Sequence, residues 1–189
     1  MPRNDFCVAE VASWRALFGC AQHACATYLP AAVEDYAIRL LYRNLGQPSE
    51  SLSCAANYAE RVLAQCQRAP DLATVGDQSL IFAGLFPEHA IGEGIPIAYF
   101  VHIGMNAYRE FAAAAPEQES RDTYIALANT FVMLVDVLHT LREVEQDEPV
   151  IDGLNAYQLW HETGSLHAWQ VLRRLTPSLP ATHITRACH

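Results

Sequence analysis

Gly76-Asp77-Gln78-Ser79-Leu80-Ile81-Phe82-Ala83-Gly84-Leu85-Phe86-Pro87-Glu88 sets an acid inside an apolar run, and how this stretch is read decides the fold. At about 100° of rotation per residue, Leu72, Val75, Ser79, Phe82 and Phe86 share one helical face. Ala73, Leu80 and Gly84 share the opposite face, with Gly76 and Ala83 between. A helix that is apolar or small on nearly every side belongs at the centre of a bundle, and its Gly/Ala face admits a close neighbour. Asp77 projects near Ile81 and Gly84, where an isolated charge is costly. It therefore needs a partner, a cap, a proton or a polar cavity.

Outward from this stretch, apolar residues recur at helical spacing. Val11, Trp14, Leu17, Phe18 and Ala21 predict a first helix from about Val8 to Tyr28, ended by Pro30. Val33, Tyr36, Ala37, Leu40 and Leu41 predict a second from Ala31 to Asn44, stopped at Gly46 and Pro48. A third is expected from Leu52 to Arg68, and Ala69-Pro70-Asp71 opens the fourth, which Pro87 stops. Ile91-Gly92-Glu93-Gly94-Ile95-Pro96 reads as a loop. Further helices are predicted at Ile97 to Ala114, at Glu119 to Val144 as one long element, at Val150 to Glu162, and at Leu166 to Leu175. No long period-two alternation and no hairpin turn pair occurs. The expected fold is all-α, a single-domain bundle of about six to eight antiparallel helices over residues 1–176, with 177–189 as a frayed tail.

Composition narrows the function. A chain of 189 residues, 51% hydrophobic, is long enough for one sizeable core. A formal charge of -9 argues against a surface that tracks nucleic-acid phosphates. All 12 basic residues are arginine, so a Walker-type phosphate loop and lysine Schiff-base chemistry are excluded. With no signal-peptide pattern and no 18-residue apolar span, the expectation is a cytoplasmic protein that does not enter membranes. Its six cysteines are then expected as free thiols; Cys20 and Cys25 point away from each other on one helix.

Asp77 is the first candidate for a ligand-facing polar group, with Arg109 as its expected partner if it is a structural anchor. Ser79, Tyr99, His102, Tyr108 and Arg109 complete the candidate ligand-binding set, lining a cavity between the fourth and fifth helices. The stripe Ile97, Val101, Gly104, Tyr108 and Phe111 is expected to face the Asp77 helix. His102, Asn106 and Arg109 share one face and also fit a plain surface stripe. Asp136 and His139 sit three apart, the spacing of a di-iron helix motif. Against the core stripe Leu127, Phe131, Leu134, Leu138 and Leu141, however, they fall with Asn129 and Glu143 on the opposite, solvated side. His161 and His167 are six apart with Gly164 between, which is not zinc-protease spacing. Ser79 lacks the glycines of a nucleophile elbow. No metal is expected, and no motif names a cofactor.

Gly76-Asp77-Gln78-Ser79-Leu80 with Gly84-Leu85-Phe86-Pro87-Glu88, then Tyr99-Phe100, Gly104, Ala107-Tyr108, Phe131 and Leu134-Val135-Asp136-Val137-Leu138, resembles a group of uncharacterised, all-helical proteobacterial proteins. The resemblance spans about residues 70–140. It implies a bacterial helical fold and carries no activity with it.

The function expected from these features is a non-enzymatic helical protein that forms a homo-oligomer, or binds a protein or a small apolar ligand. Val132, Met133, Val135 and Val137 extend the apolar surface of the long helix beyond one stripe, as in a central helix or a dimer face. The alternative is an enzyme or cofactor-binding bundle with a polar cavity around Asp77, the one acid whose surroundings point to a shifted pKa.

Overall fold

The computed structural model describes residues 8–44, 69–146 and 149–175. These residues form an all-α helical bundle, and no strand occurs among them. In chain order the helices are α1 (Val8–Ala24), α2 (Ala31–Asn44), α3 (Ala69–Gly84), α4 (Pro87–Gly92) and α5 (Ile97–Ala114). They are followed by α6 (Gln118–Asn129), α7 (Phe131–Gln146), α8 (Gly153–Thr163) and α9 (Leu166–Leu175). The helix expected from Leu52 to Arg68 and the tail after Pro177 lie outside the described residues.

The centre of the bundle is the packing of α3 on α5, with α7 lying across α1, α3 and α9. From Ser79 to Gly84 every residue of α3 is buried, as its apolar surroundings require. The small residues act as sockets for side chains. A β-carbon at Gly76 would stand 2.3 Å from the ring of Tyr108, and one at Gly104 would stand 2.2 Å from the ring of Phe131. One at Gly84 would meet Leu138 at 2.5 Å, so each of these glycines is required by close approach.

The helix expected from Glu119 to Val144 is two helices, bent by 65° between α6 and α7. Thr130 makes the break without proline or glycine. Its backbone N–H and its hydroxyl both donate to the Ala126 carbonyl, and its own carbonyl accepts from Leu134 N–H. Val135 and Val137 are buried and Val132 and Met133 half-buried, so the extra apolar surface of this region belongs to a central helix. The loop expected at Ile91–Pro96 begins later than expected, because Pro87–Gly92 forms the short α4; Gly94 then turns the chain at φ 70°. Among the described residues no single helix is long and apolar enough to cross a membrane.

Candidate functional site

Two carboxylates organise the polar interior. Asp77, half-buried on α3, accepts at Oδ1 from the Tyr36 hydroxyl of α2 at 2.6 Å and the Tyr108 hydroxyl of α5 at 2.8 Å. The Tyr124 hydroxyl of α6 stands 3.3 Å from that of Tyr36. The three phenol rings meet edge-on or tilted, with Tyr36 and Tyr108 centroids 6.3 Å apart and Tyr108 and Tyr124 centroids 5.5 Å apart. Burial, and then the Asp77 charge beside them, push the Tyr36 and Tyr108 phenols well above their ordinary pKa. Both remain protonated donors, and neither serves as a base.

The second carboxylate is Asp136 on α7. It is 2% exposed, against the expectation of a solvated face, and His139 one turn on is 0% exposed. The reason is the centrality of α7, which packs on α1, α3 and α9: Asp136 meets the start of α9, and His139 meets the end of α3. Asn129, placed on the same solvated side, is exposed on α6 beyond the 65° bend. Asp136 Oδ1 accepts from the Ser165 hydroxyl at 2.5 Å, and Oδ2 accepts from the Leu166 backbone N–H at 2.9 Å. Ser165 Oγ accepts in turn from Ala168 N–H at 3.0 Å. Ser165 is thus the N-cap of α9, and Asp136 holds both that cap and a free N–H of the first turn. Burial nevertheless raises the Asp136 pKa to about 6, because its hydrogen bonds and the nearby His167 only partly offset desolvation.

The same helix also grips the other end of α3. His139 Nε2 lies 2.7 Å from the Ala83 carbonyl, which can only accept, so the ring donates from Nε2. Burial holds its pKa down at about 3. Arg142 donates to the Leu85 carbonyl and to Glu88 at 2.7 Å. α7 therefore satisfies terminal carbonyls around the end of α3 with donors, and terminal N–H groups of α9 with an acceptor.

Beyond His139, the buried His167 ring packs edge-on at 5.2 Å between centroids. Glu143 Oε1 stands 2.9 Å from His167 Nε2 but out of line with the ring N–H, so the pair is a close electrostatic contact and not a directed hydrogen bond. Burial pushes Glu143 up, yet His167 and the Val150 N–H outweigh it and hold the carboxyl below its ordinary range. His139 Nδ1 and both nitrogens of His167 have no hydrogen-bond partner. Among the described residues no group of three His, Cys, Asp or Glu side chains is arranged to hold a metal ion.

The candidate ligand-binding residues do not converge. Tyr108 and Ser79 are buried, the first on Asp77 and the second against Gly104, where a β-carbon would stand 3.0 Å from it. Tyr99, His102 and Arg109 lie on the exposed side of α5, the turn-by-turn opposite of Ile97, Val101, Gly104 and Tyr108, which face the core as expected. Asp77 is thus held by phenols, and Arg109 stands on the exposed face instead of beside it. Cys20 is an exposed free thiol and Cys25 a buried one, pushed up in pKa by burial.

No protein-family model, curated protein or solved structure matches the chain.

Proposed function

We propose that this chain is a non-enzymatic helical protein of the cytoplasm that works by binding, and that its interior carboxylates are fixtures of the fold. The observation that carries this reading is the use of the Asp136 carboxylate: one oxygen accepts from Ser165 and the other from the first turn of α9. Asp77 supports it, since the groups donating to its Oδ1 are phenols held in their protonated form. A base must face a substrate proton, whereas Asp136 has each oxygen on the start of a helix and Asp77 has Oδ1 on phenols of two helices. The cytoplasmic assignment draws on Cys20 and Cys25, both free thiols.

The second reading, an enzyme or cofactor bundle around Asp77, draws on the half-buried position of that carboxylate. An absorption spectrum and metal analysis of the purified protein decide between the two. The binding reading expects only the aromatic band and no stoichiometric metal. A flavin or haem band, or one metal per chain that is lost in Asp77→Asn, overturns it.

A further inference from the structure

No further inference is drawn: the strongest candidate, the row of exposed apolar side chains Leu154, Tyr157 and Leu175 on the α8–α9 hairpin, carries nothing because nothing in the structure shows what covers it.

Discussion

Asp77 and Asp136 are both acids set in apolar helices, and both accept from a hydroxyl group, yet they solve burial in different ways. Asp77 is half-buried and gathers side chains: phenols of α2 and α5 converge on one oxygen. Asp136 is almost fully buried and gathers a helix end, one oxygen on the Ser165 cap and the other on a backbone N–H. The contrast shows what a carboxylate needs at each depth. Near the surface water can replace a lost donor. In the interior only fixed donors can, and the unpaired N–H groups of a helix start are the densest supply of them.

The comparison breaks first, and most visibly, at Asp136. Asp136→Ala leaves the Ser165 hydroxyl and the Leu166 N–H unpaired and opens a small void, so urea unfolding should show a loss of about 3 kcal/mol. The equivalent Asp77→Ala change, beside water, should cost clearly less. Equal losses would mean that exposure is not what separates the two sites. Next in size is Gly76→Ala, which drives a methyl group into the buried Tyr108 ring and should cost about 2 kcal/mol by overpacking in the same assay. It would act on the Asp77 cluster through Tyr108 without touching the acid. A neutral outcome would show that the ring has room to move.

Acid titration sharpens the contrast further. Asp136 has its folded pKa raised to about 6 from 3.8, so its contribution to stability is full below 3.8 and is lost as pH rises through about 6. His139 runs the other way. Its folded pKa of about 3, against 6.5, gives a contribution that is full above 6.5 and is lost as pH falls toward about 3. Between roughly pH 5 and 6, above the range in which the lowered Glu143 and Asp152 carboxyls add their own loss on acidification, the slopes of Asp136 and His139 oppose each other and nearly cancel. Asp136→Asn removes one of them. Its urea midpoint should then fall with acidification by the equivalent of about 1.4 kcal/mol per pH unit, a slope that the natural sequence does not show. Matching slopes in the two proteins would remove Asp136 from the balance.

The fold was legible because helical periodicity and its terminators are local. The bounds predicted for Ala31–Asn44, Ile97–Ala114 and Leu166–Leu175 coincide with α2, α5 and α9. Thr130 was not legible as a break, because the run around it stays apolar and the bend is made by a hydroxyl bonded back to Ala126. The site was read less well. Asp77 was found because apolar residues surround it in sequence, but its partner Tyr36 lies 41 residues away and no local pattern links them. Set against a single leucine stripe, Asp136 falls on the solvent side. The signal that places it inside is Leu134, Val135, Val137 and Leu138 around it, the same all-round apolarity that marks Gly76–Glu88 as central.

The smallest effects test whether depth grades energy within one cluster as it does between the two. Tyr36 and Tyr108 donate to the same oxygen of Asp77, at 2.6 and 2.8 Å, but Tyr36 is half-buried while Tyr108 is fully buried against Phe131. Removing either hydroxyl takes one donor from the acid and leaves the ring in place. At Tyr36, water can follow, so Tyr36→Phe should cost about 0.5 kcal/mol. At Tyr108 it cannot, so Tyr108→Phe should cost about 1 kcal/mol, although its hydrogen bond is the longer of the two. If the order is reversed, bond length outweighs burial, and the difference between Asp77 and Asp136 must then come from the helix end that Asp136 holds and not from its depth.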